Sequence, residues 1–336
     1  MQQINTEAQL IDQMTTPSNA VKDAVSKLDG DILILGIAGK MGPTLGELLV
    51  RAGAPKVIGV SRFSNPADQD DLNDRGITTQ KCDLLDDQAL KALPDAPYIY
   101  LMAGHKFGAT GNEALTWAMN TMLPGKVLQR FPKSRIIYVS SGNVYKYTPI
   151  TSSGAAEKDP VEPIGEYAMS RLGGERLAEF YSQKQNTPLS IVRLFYATEL
   201  RYGIILDVAQ KIQSQIPIDL SMGHVNQIWQ GDANAYLAQM FPHCQSPANV
   251  INMTGKEVLP IRDLATALGE KMGIEPIFEG TESDNALLGN ATKMFNQLGM
   301  PQTPISTIVH WVANWMTQGG RTLGKPTKYE SRTGKF

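Results

Sequence analysis

Tyr167 and Arg171 stand four residues apart in the segment YAMSR, so on a helix their side chains rise from one face. A phenol ionises near pH 10 in water, and it becomes a useful base at neutral pH only beside a cation that stabilises its phenolate. Arginine brings that charge and can donate to hydroxyl groups. It does not give up its proton, so a relay through position 171 is closed. Upstream, the segment VSSGNVY offers Ser141, whose hydroxyl could bind the same reacting oxygen, and Asn120 lies in the helical segment before it. Together these residue types could move a proton at a carbinol or carbonyl oxygen.

The elements that must position them can be read from apolar rhythm. Short runs rich in Ile, Val and Leu (DILILG, KVIGVS, the weaker ITTQKC, YIYLMAG, RIIYVSS and LSIVRLF) alternate with helical segments such as PTLGELLVRAG and YAMSRLGGERLAEFYSQK. Continuously apolar strands alternating with helices predict an α/β protein with a doubly wound, Rossmann-type parallel sheet covered on both faces. Pro124-Gly125 falls inside NEALTWAMNTMLPGKVLQRF and predicts a kink or break in that helix. After about residue 197 strands become sparse and helical patterns dominate. The expected organisation is a helical extension over 1–30, a dinucleotide-binding sheet over 31–197, a smaller, mostly helical substrate portion over 198–317, and a basic tail over 318–336. The tail GGRTLGKPTKYESRTGKF is expected to be solvated; the sharper alternative is that it folds over the site or a partner subunit.

The loop GIAGKMG places Gly36, Gly39 and Gly42 between the first strand and the first sheet helix. Glycines in that setting allow a tight turn, close approach of backbone N–H groups to a pyrophosphate, and close helix–strand packing, while the helix N-terminus attracts the phosphates. The second strand then decides which dinucleotide fits. An acid just after it would hold a ribose 2′-hydroxyl, but KVIGV runs into Ser61 and Arg62 with no acid before Asp68. A guanidinium there can hold a 2′-phosphate, so NADP is expected over NAD. Asp83, in KCDLL, is placed to meet the adenine end.

The bulk numbers narrow the field. The 336 residues are 42% apolar and 19% charged with a formal net charge of −2, which fits a globular chain and favours neither nucleic acid nor an anionic membrane. Cys82 and Cys244 form no framework or metal spacing and suit a reducing compartment; no metal site is expected. The start MQQINTEAQLIDQ lacks a basic region followed by an apolar one, and no apolar run approaches a membrane span. A cytoplasmic protein acting on a small molecule is expected.

In GIAGKMG, CDL, MAG (102–104), NTMLPGKVL, VSSGNVY and YAMSR, in that order, the chain resembles the extended short-chain dehydrogenase/reductase superfamily in its NAD-dependent epimerase/dehydratase branch, over roughly residues 30–317. The resemblance implies that Tyr167 is a general acid/base, that Ser141 binds the same substrate oxygen, that Arg171 replaces the usual lysine that holds the nicotinamide ribose, and that Asn120 supports that cation. It implies cofactor contacts from Lys40, Met41, Leu84, Ala103 and Gly104, besides Gly36, Gly39, Gly42, Ser61, Arg62, Asp83, Tyr167 and Arg171. For substrate it points to His105, Lys106, Ser141, Asn143, Arg193, Tyr196 and Trp229; Lys106 could compensate for the altered cation, and His105 could be a proton donor. Arg201, Tyr202, His224, Asn226 and Gln230 could add polar lining. The stretch VRLFYATELRYG keeps Arg193 but has Tyr196 and Ala197 where sugar-nucleotide members usually carry Asn and its neighbour, which turns the expectation toward a smaller polyol, sugar or sugar acid. Three functions remain open: a dehydrogenase or reductase, an epimerase or dehydratase with a retained cofactor, and an NADP-binding regulator with little chemistry. A homodimer through the helices at 112–131 and 165–183 is a further expectation of the resemblance.

Overall fold

The apolar runs assemble into one seven-stranded, fully parallel sheet in a computed structural model that describes residues 3–106 and 108–335. The strands are β1 (Ile32–Leu35), β2 (Val57–Ser61), β3 (Thr78–Lys81), β4 (Tyr98–Leu101), β5 (Arg135–Ser141), and two further strands, Leu189–Leu194 and Asn249–Met253. Their order across the sheet is Asn249–Met253, Leu189–Leu194, β5, β4, β1, β2, β3. All four residues of β1 are buried because helices cover both faces of this central strand. At the edge, β3 reads TTQK and keeps its polar side chains at least partly exposed.

The order reverses at β1. The chain moves outward through β2 and β3, then returns to place β4 on the other side of β1, which leaves a crevice between the carboxyl ends of β1 and β4. Helix α3 (Gly42–Arg51) follows β1 directly.

Two features cross the boundaries expected from the sequence. The strand Asn249–Met253 comes from the portion expected to be mostly helical, yet it extends the main sheet beside Leu189–Leu194. The N-terminal extension is part of the core as well. Helix α1 (Glu7–Thr15) opens with a capping box between Thr6 and Gln9 and buries Leu10 and Met14; α2 (Asn19–Val25) buries Val21 and Val25. Arg51 of α3 reaches across to Asp12 and Thr15 of α1.

The tail is not solvated: Thr327 and Tyr329 are each 1% exposed. Arg321, near the start of the tail, is tied to the N-terminal helix, since Glu7 accepts from both Arg201 and Arg321.

The helical segment is interrupted just before Pro124, which stands in the first turn of its last part. The preceding turn, Ala118–Met122, winds as a π-helix between a short helix (Glu113–Trp117) and a longer one (Leu123–Arg130). Proline has no N–H to give the carbonyl of Asn120, and that oxygen accepts from the Tyr138 hydroxyl instead at 3.3 Å. Gly173 and Gly174 let the long helix Gly165–Gln185 nest against this turn; a Cβ on Gly174 would lie 2.0 Å from the Asn120 oxygen.

Candidate active site

The crevice at the β1–β4 reversal is built by glycine. Gly36 has φ +94°, and a Cβ there would lie 2.6 Å from the backbone of Ala103, so only glycine lets the loop pass the end of β4. A Cβ on Gly42 would meet the Ile37 carbonyl at 2.2 Å. At Gly39 a Cβ would meet only the Gly36 oxygen at 3.2 Å, which leaves the outer side of the loop open above the start of α3. A phosphate-binding turn needs these three features: a bend, a close-packed helix, and an open face with backbone N–H groups near a helix N-terminus. The residues fit a dinucleotide.

Two cavities flank this loop and share Gly36, Gly39 and Met102 in their walls. The larger, of about 380 Å³, runs toward the ends of β2 and β3 and is lined by Ser61, Arg62, Asp68, Asp83, Leu84 and Gly104, among others. Arg62 is exposed at its rim. Asp68 faces the same space, held by the side chain of Asn65 at 3.1 Å. The smaller, of about 200 Å³, runs toward the ends of β5 and Leu189–Leu194 and includes Lys40, Lys106, Ser141, Asn143, Tyr167, Tyr196 and Tyr202. The sequence thus brought the glycine loop, Ser61, Arg62, Asp83, Leu84, Ala103 and Gly104 to one cleft, and Lys106, Ser141, Asn143, Tyr167 and Tyr196 to its other end.

The two serines of VSSGNVY differ in what they hold. Ser140 donates to the buried carboxylate of Glu175 at 2.6 Å. Ser141 donates to Asn143 Oδ1 at 2.9 Å and accepts from the Asn143 N–H at 3.2 Å, a local turn at the cavity wall. Tyr167 lies two residues inside the helix Gly165–Gln185, covered by Ala109 of the loop after β4.

Two lysines give the smaller cavity its charge. Lys40 donates to the Ala197 carbonyl at 2.7 Å and lies 4.5 Å from the Tyr202 ring centroid. Burial pushes it down to about 7, with Glu199 pulling upward and Arg201 and Lys106 pushing further down. Lys106 lies over the rings of Tyr167 (5.7 Å) and Tyr196 (6.0 Å). Burial lowers it to about 8, opposed by Asp207 and assisted by Lys328. Burial also raises the Tyr196 and Tyr202 hydroxyls, so both stay protonated donors at neutral pH.

Arg171 is placed differently from the expectation. It is 4% exposed and lines neither cavity. Its guanidinium donates to the Val139 carbonyl, faces the Tyr138 ring at 5.0 Å, and backs against Gly104, where a Cβ would lie 2.7 Å from Arg171 Nη1. Asn120 is a direct clamp on the loop after β4. It accepts from the His105 N–H at 2.8 Å and donates to the His105 carbonyl at 2.9 Å and to Ser170 at 3.0 Å.

Three expected substrate contacts are committed elsewhere. Arg193 is 3% exposed, pairs with Glu175 at 2.7 Å, and donates to the Tyr145 hydroxyl at 2.7 Å. The His105 ring is turned to Thr116 at 2.9 Å, and Trp229 is a core residue 5.3 Å from Trp311. Asn226 likewise bonds Gly289, and Gln230 bonds Thr44. Thr327, a tail residue not singled out in the sequence, lines the smaller cavity, which agrees with the alternative that the tail folds over the site. The inward aim of Lys40 had no local signal. Among the described residues no group of three or more His, Cys, Asp or Glu is arranged to hold a metal ion, and no helix is long and apolar enough to cross a membrane.

A parallel sheet with its dinucleotide crevice at the reversal point, and a serine and tyrosine at the end of that crevice, define the class of nucleotide-binding α/β enzymes. Residues 32–198 match the model of the NAD dependent epimerase/dehydratase family, and the chain belongs to this family of enzymes. Solved structures of the same fold include UDP-glucuronic acid 4-epimerase from Bacillus cereus in complex with NAD, at 18% identity and a TM-score of 0.71 over 86% of this chain and 99% of that one. They also include dTDP-glucose 4,6-dehydratase from Streptomyces venezuelae with NAD bound, at 18% identity and a TM-score of 0.71 over 85% and 96% of the two chains. A putative epimerase from Burkholderia cenocepacia is similar at 19% identity and a TM-score of 0.70 over 87% and 99%. Among curated proteins none matches the sequence.

Proposed function

We propose that the chain is an NAD(P)-dependent oxidoreductase acting on a hydroxyl-bearing carbon of a small polyol, sugar or sugar acid. The observation that carries this is the shared cavity in which Tyr167, Ser141 and Lys106 meet the open face of the glycine loop. A nicotinamide dinucleotide held by Gly36, Gly39 and Gly42 and the start of α3 would supply the site's capacity to accept or return a hydride. Tyr167 takes the proton of the substrate hydroxyl, or gives it back in the reverse direction, and Ser141 donates a hydrogen bond to the same oxygen. The cation over the Tyr167 ring is Lys106, which brings positive charge to the reacting end of the cavity. Arg171 and Asn120 act as the floor beneath, holding Val139 and the loop at His105.

Arg62 at the rim of the larger cavity favours NADP through a charged contact with its 2′-phosphate, with Asp68 in the same cavity as the feature that would favour NAD. The segment 198–317 supplies the substrate side through Tyr202. Leu115, Trp117, Met122, Met169 and Phe180 are exposed apolar side chains on the helices at 113–130 and 165–185, and a second copy of the chain is the occupant that would cover them. A transient-oxidation reaction with retained cofactor, as in an epimerase, is the second reading; the solved epimerase and dehydratase structures of this fold favour it.

Calorimetric titration of nucleotide-stripped protein with NADP⁺ and NAD⁺ is the first test. Binding of at least one is expected, and binding of neither would refute the reading. Once a substrate turns over, Tyr167→Phe should reduce turnover by about a hundredfold or more; unchanged turnover would remove Tyr167 from the mechanism.

A further inference from the structure

The smaller cavity is closed on one side by the carboxyl-terminal segment. Leu323 donates its N–H to the Arg201 carbonyl at 2.9 Å. Thr327 then gives both its N–H (2.7 Å) and its hydroxyl (2.5 Å) to Asp207, and Tyr329 is buried in the core behind it. Arg332 bonds the carbonyls of Ser221 (3.1 Å) and Asn285 (3.2 Å) and lies 4.4 Å from the Tyr147 ring centroid. Gly334 ends against Ile164, where a Cβ would meet the Ile164 carbonyl at 2.1 Å, at the start of the helix that carries Tyr167. The segment therefore runs from Arg201 to the start of the helix that carries Tyr167, anchored at each step, and reaches the cavity wall at Thr327.

The volume left inside, about 200 Å³, lies below the roughly 300–1,000 Å³ usual for ligand pockets. The charges facing it have one sign. Among the described residues that line it, Lys40 and Lys106 are charged and none is acidic. Lys40 belongs to the glycine loop, so a pyrophosphate on that loop is its natural counter-ion. Lys106 stands at the other end, over Tyr167 and Tyr196. Asp207, the carboxylate that pulls Lys106 upward, accepts both bonds of Thr327, and Lys328 adds positive field from the tail. An ammonium at a cavity wall whose described lining holds no acid is a ready partner for a carboxylate that arrives with the substrate.

We propose that the substrate is a small hydroxy acid whose carboxylate is held by Lys106 while its hydroxyl reaches Tyr167 and Ser141, and that the carboxyl-terminal segment is the wall that limits its size and excludes nucleotide-linked sugars. This rests on the oxidoreductase reading above and narrows its substrate class. Lys106 then serves two partners in turn, the Tyr167 ring before binding and the carboxylate after it.

The test is calorimetry on the full chain saturated with whichever of NAD⁺ and NADP⁺ binds. The probes are hydroxy acids of three to six carbons (glycerate, erythronate, xylonate, gluconate), their matched polyols (glycerol, erythritol, xylitol, glucitol) and UDP-glucose. At least one acid should bind about tenfold or more tighter than its polyol, as a charged hydrogen bond implies, and UDP-glucose should give no heat. Lys106→Met should reduce that preference to about threefold or less, Lys106→Arg should restore part of it, and Tyr167→Phe should leave it in place. The proposal is overturned if no acid binds to the cofactor-loaded chain, if polyols bind as well as acids, if the preference survives Lys106→Met, or if UDP-glucose binds more tightly than the acids. Failure of both dinucleotides to bind refutes the oxidoreductase reading instead, so the two failures are distinct.

Discussion

Arg171→Lys restores the residue usual at this position in the resembling branch, and the structure predicts that it harms the protein rather than repairing it. The guanidinium reaches the Val139 carbonyl and spreads over the Tyr138 ring while 4% exposed. A lysine ammonium keeps the charge but lacks the planar fork, so the carbonyl contact is lost or replaced by a poorer one. Losing one charged hydrogen bond costs about 1.5–3 kcal/mol. The stacking on Tyr138 is reduced as well, by roughly 0.5–1 kcal/mol. A chain of this length shifts its melting temperature by roughly 2 °C per kcal/mol, so a fall of about 4–8 °C is expected in differential scanning fluorimetry. Because Arg171 lines neither cavity, dinucleotide affinity should change by no more than about threefold. Arg171→Met, which also removes the charge, should be less stable still and likewise keep most of the affinity. A gain in dinucleotide affinity of tenfold or more for Arg171→Lys, with no loss of stability, would show that residue 171 faces the ribose and would refute the assignment of Arg171 to the floor.

Three other perturbations follow from the geometry. Arg62→Ala should lower the ratio of NADP⁺ to NAD⁺ affinity by roughly ten- to a hundredfold, the value of one charged hydrogen bond; an unchanged ratio in calorimetry would leave Arg62 as a rim residue with no part in selection. Glu7 is held down to about 2 by its bond to Arg321, with Arg201 adding to the effect, so its contribution to stability is complete above its ordinary value of 4.5 and is lost as pH falls toward 2. Glu7→Gln should therefore flatten the stability profile across that window in denaturant titrations, and a profile that keeps the wild-type slope would argue against the link. Gly174→Ala drives a methyl to within 2.0 Å of the Asn120 carbonyl and should destabilise by about 1–3 kcal/mol as the two helices part, seen as a lower urea midpoint with an unchanged slope. An unaltered midpoint would mean the helices yield without cost.

What could be read from the sequence was what neighbouring residues determine. Strands β1, β2 and β4 announce themselves as apolar runs because they are buried between helices, whereas the edge strand β3, TTQK, is polar and gives a weaker signal. The glycine loop is legible because its spacing answers a local backbone demand: φ +94° at Gly36 and contact with Ala103. The strand Asn249–Met253 escaped because NVINM carries two amides and its sheet neighbour, Leu189–Leu194, is distant in sequence. Arg193 was misread for a related reason: the carboxylate that engages it, Glu175, lies on another element, and nothing near VRLF reveals it. The tail gave the strongest false signal. Its composition is that of a solvated segment, yet two buried residues, Thr327 and Tyr329, with Arg332 alongside, are enough to hold it, through partners such as Asp207 and Asn285.

Position 171 shows where spacing stops being informative. Tyr167, Arg171 and Glu175 recur every four residues and do share a helix face. That periodicity fixes where the side chains start, not where a long side chain ends. The Arg171 guanidinium comes to rest against Tyr138 and Gly104, and Glu175 turns to Arg193 and Ser140. The charge over Tyr167 comes from the loop after β4, through Lys106. Elements converge at the carboxyl ends of a parallel sheet, so a cation needed at one point there can be supplied from more than one of them. An altered helix residue is therefore no sign by itself that the chemistry has been lost. In this fold the test of a missing charge is whether any neighbouring loop aims one at the same ring, and Lys106 does so at 5.7 Å.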